Sequence, residues 1–344
     1  MTVGLVYDPI YLKHDTGTHV ENSSRLVATM ELLEQSKLLD RLTVLPPRAA
    51  SYEELALVHT EYHIKRVEST AKSGGIWLDG DTFASPDSYN VALYAAGGVM
   101  RAIDAIISGE VKHAFGLVRP PGHHATPDAA MGFCLFNNIA IAAQYARRNH
   151  GIERVLIADF DVHHGNGTEE IFEKDPNVLY FSTHQYPHYP GTGYVTDDGV
   201  GEGKGATINV PLPAFCGDDE YHRAYSELLV PIARRFKPDL MLVSAGYDLH
   251  WSDQLSGMQL TVDGFADITG IIKSLADELC QGRLLLSLEG GYNLKALSSS
   301  IKATLEVLLG GPVSPDPIGK PRSDWKPMDA DSVIELVAAK YGLK

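Results

Sequence analysis

Three polar residues spaced two apart follow an apolar run near the middle of the chain. Asp159, Asp161 and His163 come directly after Val155–Ala158, which has the composition of a buried strand. In an extended segment, residues two apart project to the same side, so two carboxylates and an imidazole would crowd together. These groups repel or stay unsatisfied there unless a cation gathers them. The spacing favours a site for zinc or another borderline divalent ion over the alternative of a hydrogen-bonded polar loop.

Three more polar clusters follow predicted strands. In an open parallel sheet, sites form beyond the carboxyl ends of the strands, so all four clusters are expected to meet at one edge. This convergence is more specific than any single motif. The four clusters are Arg119-Pro-Pro-Gly-His-His124 after Ala114–Val118, Asp159 to Asn166 after Val155–Ala158, Ala245-Gly-Tyr-Asp248 after Leu240–Ser244, and Glu289-Gly-Gly-Tyr292 after Leu284–Leu288.

Asp161, His163 and Asp248 make a plausible set of three metal ligands. Catalytic zinc usually keeps three protein ligands and an open position for water. Two carboxylates temper the Lewis acidity of the ion, so we expect other groups to share the chemistry.

The adjacent His123 and His124 are candidates for that chemistry, although an isolated His-His pair usually lies only on the surface. Each imidazole needs a partner that fixes its tautomer, and Asp159 and Asn166 are the nearest candidates. The histidine beside Asp159 would favour its charged form, and the one beside Asn166 would hold a proton less readily. This split suits one general base and one general acid, but the sequence does not say which is which.

Tyr292 follows Gly290-Gly291, where the backbone can take conformations closed to other residues. Its hydroxyl could turn towards the metal and donate a hydrogen bond to a developing oxyanion, worth about 3–4 kcal/mol by analogy with other oxyanion donors. The alternative is a buried tyrosine that packs under a turn.

The elements that must position these residues alternate between short apolar strands and amphipathic helices. This order predicts a mostly parallel sheet covered by helices on both faces. We find no linker, so residues 1–344 are predicted to form one domain, with a Pro-rich strap and a terminal helix in 311–344. Further strands are predicted at Val3–Tyr7, Val178–Ser182 and Thr207–Val210, and helices at Ser24–Leu39, Ser51–Val58, Ser88–Ser108, Asn137–Asn149, Asp218–Phe236, Val262–Gln281, Leu294–Leu309 and Asp331–Tyr341.

The overall composition narrows the class of protein. The chain has 29 Lys+Arg against 44 Asp+Glu, a net charge of −15, which argues against binding to a nucleic-acid backbone. Its three cysteines are widely spaced and suit a reducing compartment rather than a disulfide framework. No segment is expected to span a membrane or to act as a leader. We therefore predict a cytoplasmic protein.

Taken together, these residues resemble the zinc-dependent histone deacetylase family, which has the arginase/deacetylase fold. The matching stretches follow the family's order over most of the chain. The similarity is greatest to the class II branch and its bacterial relatives, because Asn166 stands where class I members tend to carry Asp. The stretches are Arg119-Pro-Pro-Gly-His-His-Ala125, Gly132-Phe-Cys-Leu-Phe-Asn-Asn138, Asp159-Phe-Asp-Val-His-His-Gly-Asn-Gly-Thr168, Pro190-Gly-Thr-Gly193, Ser244-Ala-Gly-Tyr-Asp248 and Leu288-Glu-Gly-Gly-Tyr-Asn293.

The resemblance implies a single three-layer α/β domain with a central eight-stranded sheet. It also implies zinc on the three ligands above, the two adjacent histidines as the acid–base pair, and Tyr292 as the oxyanion donor.

The resemblance further implies a narrow channel for an acylated alkylamine, with structural potassium nearby. Phe133 and Tyr189 would flank the channel, and the Gly132 carbonyl would accept from the substrate amide. The predicted potassium sites lie near Asp159 and Ser182 and, for a second ion, near Phe172 and Val178.

Two positions bear on the channel mouth. Val20, in His19-Val-Glu-Asn-Ser-Ser-Arg25, replaces the proline of the family's early His-Pro-Glu loop, which leaves the shape of that loop open. Leu255 stands near the place where polyamine-preferring relatives carry an acidic residue, so it resembles the acyl-lysine branch. Another acidic residue could serve the same purpose.

The sequence therefore predicts an amide hydrolase that removes an acetyl or related acyl group from a lysine-like amine. The substrate is expected to be an acylated lysine in a peptide or protein, with an acetylpolyamine or another small acyl-amide as the alternative. A two-manganese ureohydrolase of the arginase type is disfavoured, because the Asp248 region lacks a clustered Asp-x-Asp. A binding module for acyl ligands is disfavoured by the complete set of catalytic residues. Homo-oligomerisation is left open.

Overall fold

The structure is a computed structural model that describes residues 2–321 and 326–343. The strands of this part of the chain are β1 (Val3–Val6), β2 (Thr43–Leu45), β3 (Ile76–Trp77), β4 (Phe83–Ala84), β5 (His113–Gly116), β6 (Val155–Asp159), β7 (Val178–Gln185), β8 (Thr207–Leu212), β9 (Leu240–Ala245) and β10 (Leu284–Leu288).

Eight of these strands form one sheet, in the order β2-β1-β5-β10-β9-β6-β7-β8. Every neighbouring pair is parallel, which confirms the predicted eight-stranded sheet. All residues of β5, β6, β9 and β10 are buried, as expected for parallel strands covered on both faces. The remaining strands, β3 and β4, pair as a short antiparallel hairpin.

Helices cover both faces of the sheet. One group pairs α4 with α5, and another packs α10 between α1 and α9. The helices are α1 (Ser24–Gln35), α2 (Tyr52–Leu55), α3 (Glu61–Ser69), α4 (Ser88–Ile107), α5 (Asn138–His150), α6 (Asn166–Phe172), α7 (Asp218–Arg223), α8 (Val230–Phe236), α9 (Val262–Leu279), α10 (Leu294–Leu308) and α11 (Ala330–Lys340).

Side-chain caps set where the helices near the site begin. The Asn137 side chain accepts from the Ala140 N–H at 3.0 Å at the start of α5, and Asn293 accepts from Ala296 at 3.2 Å at the start of α10. These caps satisfy backbone donors that have no partner within the helix. Asn293 directly follows Tyr292, so this cap also fixes the backbone position of the predicted oxyanion donor at the start of α10.

Several predicted boundaries were wrong. The strand predicted at Ala114–Val118 is His113–Gly116, and the helix predicted at Ser24–Leu39 ends at Gln35. The helix predicted at Asp218–Phe236 contains a π-helical stretch, Ala224–Leu229. Pro231 lies just beyond this stretch and lacks an N–H for the helical ladder, which explains the change of hydrogen-bond register. β2, α3, α6 and the β3–β4 hairpin were not predicted. The strands have only two or three residues each, and α3 and α6 are short helices of nine and seven residues.

By length and composition alone α4 could cross a membrane, although no segment of the sequence was expected to approach a membrane span. Two-thirds of its apolar window is buried inside the protein, as in a core helix. The predicted strap falls partly on 322–325, outside the described residues. Its described part is held to α10, since the Glu306 carboxylate accepts from the Ser314 N–H at 2.8 Å.

Candidate active site

The four polar clusters meet at one edge of the sheet, as predicted. They follow β5, β10, β9 and β6, which are consecutive neighbours in the sheet order. All four strands are parallel, so their carboxyl ends lie side by side. Residues more than a hundred positions apart in sequence are therefore brought into contact.

The predicted metal ligands Asp161, His163 and Asp248 form one buried cluster. One nitrogen or oxygen atom from each lies within 4.8 Å of the others. Asp161 Oδ2 accepts from the Gly290 N–H at 2.8 Å, and Asp248 Oδ1 accepts from the Val162 N–H at 3.1 Å. Asp248 Oδ2 is 3.4 Å from His163 Nδ1 but has no hydrogen-bond partner among the described residues. An orphaned, buried carboxylate oxygen that faces two other donors is what a metal site requires.

The two buried carboxylates of this cluster favour a positive charge between them. Burial, followed by repulsion from Asp161, raises the pKa of Asp248 to about 6. Burial lowers the pKa of His163, but its two carboxylate neighbours outweigh burial and raise that pKa to about 10. The paired carboxylates thus favour positive charge within the cluster. A divalent cation would meet the same need, and the donor set suits zinc or a similar ion.

Two glycines make room for the carboxylates. A Cβ on Gly290 would lie 2.0 Å from Asp248 Oδ2 and 2.6 Å from Asp161 Oδ2. A Cβ on Gly246 would lie 2.0 Å from Asp161 Oδ2. These distances are far below van der Waals contact, so only glycine permits this packing. From the sequence, Gly290 was expected to provide backbone freedom, and no role was predicted for Gly246. The structure shows that space is the requirement.

The structure pairs each histidine with one of the two predicted partners. His123 Nδ1 lies 3.0 Å from Asp159 Oδ2, and His124 Nδ1 lies 2.8 Å from Asn166 Oδ1. The acceptor oxygens place a proton on each Nδ1 and turn each Nε2 towards the site. The ring centroids are 4.1 Å apart.

The two imidazoles differ in how they hold a proton. Burial lowers the pKa of His123, but attraction from Asp159 and Asp161 outweighs burial and raises it to about 10. Burial, and then the charges of His123 and His163, hold the pKa of His124 well below its usual value. The carboxylate partner therefore favours the charged form of His123, whereas burial and the neighbouring imidazoles favour the neutral form of His124. This is the split expected of an acid–base pair.

Tyr292 is buried and lies in the wall of the site. Its backbone N–H donates to Asp253 Oδ2 at 2.7 Å, the Arg25 guanidinium carbon lies 5.1 Å from its ring centroid, and the Phe133 ring packs edge-on at 5.9 Å. Burial raises the pKa of the phenol well above 10, so the hydroxyl stays protonated and able to donate.

A cavity of about 260 Å³ opens above these groups. Tyr189 lines it and is 37% exposed, which marks the mouth. The cavity walls include all four residues predicted to contact substrate, Gly132, Phe133, Tyr189 and Leu255, and also Asp81, Pro121 and His188, which the sequence analysis did not assign.

A tight turn shapes one wall of the cavity. Met131 and Cys134 pair across Gly132 and Phe133, both of which have positive φ, 55° and 69°. Such φ values are uncommon for a residue with a side chain, and here they aim the Phe133 ring into the cavity. A Cβ on Gly132 would meet the His124 ring at 2.3 Å, so the turn also packs on the histidine pair.

The residues predicted for potassium lie in two places. Asp159 and Ser182 are register partners on β6 and β7, and the Ser182 hydroxyl lies 2.9 Å from His184 Nδ1. Phe172 ends α6 and Val178 begins β7, with the Phe172 carbonyl accepting from the Asp175 N–H at 2.9 Å. Potassium at either place stays a prediction.

A buried charge network behind the site was not predicted. The Glu21 carboxylate binds Arg25 at 3.0 Å and Arg119 at 2.5 Å, and Arg25 also donates to the Gly291 carbonyl at 2.7 Å. The Glu289 carboxylate accepts from the His123 N–H at 3.1 Å. The loops that carry the histidines and the tyrosine are thereby tied together. Arg119 and Glu289 lie in the matching stretches and Glu21 and Arg25 in the early loop, but no sequence pattern indicated that they pair.

Residues 19–308 match the family described as histone deacetylase domain. The chain is 42% identical over 316 residues to histone deacetylase 14, chloroplastic, of Arabidopsis thaliana, which covers 87% of this chain and 75% of that protein. It is 42% identical over 298 residues to a probable deacetylase of Archaeoglobus fulgidus, covering 86% and 82%.

Two further relatives bear on substrate and fold. The chain is 40% identical over 313 residues to human polyamine deacetylase HDAC10, covering 88% of this chain and 46% of that protein. The crystal structure of the HDA15 HD domain superimposes with a TM-score of 0.90 at 36% identity, covering 98% of this chain and 93% of that one.

Proposed function

The chain belongs to the histone deacetylase family, and we propose that it is a zinc-dependent amide hydrolase that removes an acetyl or related acyl group from a lysine-like amine. The observation that carries this proposal is the meeting of three metal-binding residues, an oppositely poised histidine pair and a protonated tyrosine around one cavity. Amide hydrolysis needs these three functions: an activated water, proton transfer and stabilisation of an oxyanion.

We propose that Asp161, His163 and Asp248 hold the zinc ion. When bound, the ion would supply Lewis acidity to the acyl oxygen and to an attacking water. The orphaned Asp248 oxygen and the paired buried carboxylates support this assignment.

The proton transfers are assigned to the histidines. His124 is neutral at physiological pH and can accept the proton of the attacking water at Nε2, while Asn166 holds the other nitrogen. His123, charged beside Asp159, adds positive charge near the developing oxyanion. The protonated His124 then returns its proton to the departing amine. The Tyr292 hydroxyl donates to the oxyanion, which is absent in the ground state, so its contribution lowers the barrier.

We also propose a substrate class, acyl-lysine in a peptide or protein. Leu255 lines the cavity and offers no charge to a distal ammonium, which supports acyl-lysine in a peptide or protein. An acetylpolyamine is the second candidate, because a polyamine deacetylase is among the relatives and the Asp81 carboxylate lines the same cavity. An arginase-type ureohydrolase with two metals is less favoured, since the described residues contain one three-ligand cluster. A non-catalytic binder has no specific observation in its favour.

The proposed compartment is a reducing one, the cytoplasm. The three cysteines Cys134, Cys216 and Cys280 are free and buried, which supports this. Two relatives are named as chloroplastic proteins, so the location stays a prediction.

The test is a rate comparison with zinc-loaded enzyme. We would measure kcat/KM for an acetyl-lysine peptide and an acetylated polyamine, with Tyr292→Phe as the control. The variant should retain zinc and lose roughly 100- to 1000-fold in kcat. Wild-type turnover by Tyr292→Phe would refute the oxyanion role. A strong preference for the polyamine would overturn the substrate assignment, and failure to hydrolyse any acyl-amide would refute the proposed reaction.

A further inference from the structure

An exposed hairpin stands beside the cavity mouth. Its two strands are β3 and β4, and its outward residues Ile76 and Trp77 are 42% and 55% exposed. Single apolar residues at a surface are common and need no explanation. An exposed indole at the edge of a substrate cavity is different, because aromatic side chains are enriched where proteins bind partners.

The Trp77 ring continues a row of rings that begins inside the cavity. Phe133 lies 5.9 Å from Tyr292, His19 lies 4.5 Å from Phe133, and Trp77 lies 6.5 Å from His19. Phe83 packs beneath the indole at 5.2 Å. We call Phe133, His19 and Trp77 the aromatic row. It leads from the reaction site over the rim to the outer surface.

Hydrogen bonds hold the hairpin in place. Asp79 Oδ1 accepts from the N–H groups of Asp81 at 2.9 Å and Thr82 at 2.6 Å. Arg66 donates to the Leu78 carbonyl at 2.6 Å. The Thr82 hydroxyl accepts from the Phe133 N–H at 3.0 Å, which ties the hairpin to the cavity wall. The indole is thus presented on a fixed support, so little conformational entropy is lost when it binds a partner.

Two carboxylates, against the single guanidinium of Arg66 on the Leu78 carbonyl, leave net negative charge at the hairpin beside the aromatic row. Asp79 and Asp81 lie in the hairpin turn, and Asp81 lines the cavity. Burial, and then repulsion from Asp79, raise the pKa of Asp81, so a cation nearby would be favourable. A surface that is both aromatic and anionic complements an ammonium or guanidinium group on an aliphatic stem.

We propose that the aromatic row binds the residues that flank the acylated lysine in a polypeptide substrate, with a basic side chain over the indole of Trp77. The inference rests on the proposed function and narrows its substrate class. Trp77 does not line the cavity, so a small acyl-amine seated there would gain nothing from it. A polypeptide that leaves the mouth would cross the row.

The test compares substrates that differ only outside the cavity. One is a peptide with arginine next to acetyl-lysine, the second has glutamine in its place, and the third is a single acetyl-lysine with blocked termini. Trp77→Ala is compared with Tyr62→Ala, a control at a tyrosine that is 68% exposed on α3 and outside the row. For Trp77→Ala we expect KM to rise roughly five- to tenfold on the arginine peptide, with kcat unchanged. Its activity on the blocked single residue should match wild type.

Three outcomes would overturn the inference. Trp77→Ala could lower activity equally on all three substrates, which would mean that the hairpin only supports the cavity wall. It could leave the arginine peptide unaffected, which would mean that the row contacts no flanking residue. Or it could weaken the arginine and glutamine peptides equally, which would exclude recognition of a cation. Failure of the proposed function itself looks different, because wild-type enzyme would then hydrolyse none of the substrates.

Discussion

Gly290→Ala offers the sharpest test of the proposed metal site, because the change adds one carbon atom and removes none of the proposed ligands. The new Cβ would lie 2.0 Å from Asp248 Oδ2, where ordinary contact begins at 3.4 Å. The oxygen would have to retreat by roughly 1 Å or more. It cannot retreat freely, since Asp248 Oδ1 is held by the Val162 N–H at 3.1 Å.

The expected loss follows from how little displacement a metal site tolerates. Ligand distances vary by only about 0.2 Å in functional sites. Substitution of a group that only hydrogen-bonds to a metal ligand already lowers metal affinity by about 10- to 100-fold. The new Cβ would displace Asp248 and would also lie only 2.6 Å from Asp161 Oδ2. Zinc binding should therefore weaken by at least about 100-fold. Deacetylation should fall in parallel.

The assay is a zinc titration followed by metal analysis after dialysis, with kcat/KM measured on an acetyl-lysine peptide. Gly270→Ala is the matched control: it lies within α9, its Cβ would meet nothing within 4 Å, and helix propensity favours alanine by about 1 kcal/mol. Thermal unfolding with chelator separates a damaged site from a damaged fold. If Gly290→Ala binds one zinc with wild-type affinity and turns over normally, the inference that this glycine makes room for the ligands is refuted.

Two further predictions concern positioning and pH. Glu289→Ala should lower kcat roughly tenfold or more with KM little changed, because it leaves the buried N–H groups of Gly122 and His123 without their shared acceptor, the Glu289 Oε2 atom now at 2.6 and 3.1 Å; steady-state kinetics with an unchanged kcat would contradict this. His113 is buried, and burial lowers its pKa to about 4. Between pH 6.5 and about pH 4 the unfolded chain therefore binds more protons than the folded protein. The free energy of unfolding should decrease as the pH is lowered through this range. Chemical unfolding of chelated protein should show that His113→Asn removes about 1.4 kcal/mol per pH unit of that slope, and equal slopes would exclude His113 as a source.

The residues of the site were predictable where the information is local. Asp161 and His163 follow from period-two spacing after an apolar strand, and Asp248 follows from the rule that sites lie beyond strand ends. The family resemblance supplied the channel residues, and the structure places Leu255 and Tyr189 in the cavity wall. His188, whose ring stacks on His163 at 5.0 Å, had no comparable signal.

The hairpin and its indole could not have been predicted from periodicity. β3 and β4 have two residues each, too few for an alternating pattern. The sequence indicated only a turn-rich stretch there. The hairpin is held beside the cavity by the hydrogen bond that the Phe133 N–H donates to the Thr82 hydroxyl. These two residues are 51 positions apart in the sequence.

The sequence by itself determined the central strands, the long helices and the side chains that follow each central strand at its carboxyl end, because these depend on neighbours a few residues away. The order of strands was decided only by the tertiary structure, and it sets every partnership across the site. It assigned Asp159 to His123 and Asn166 to His124, and it brought Arg25 to the Gly291 carbonyl across 266 positions. Hydrophobic periodicity does not encode such contacts, because it records only which face of an element is buried and not which element covers it.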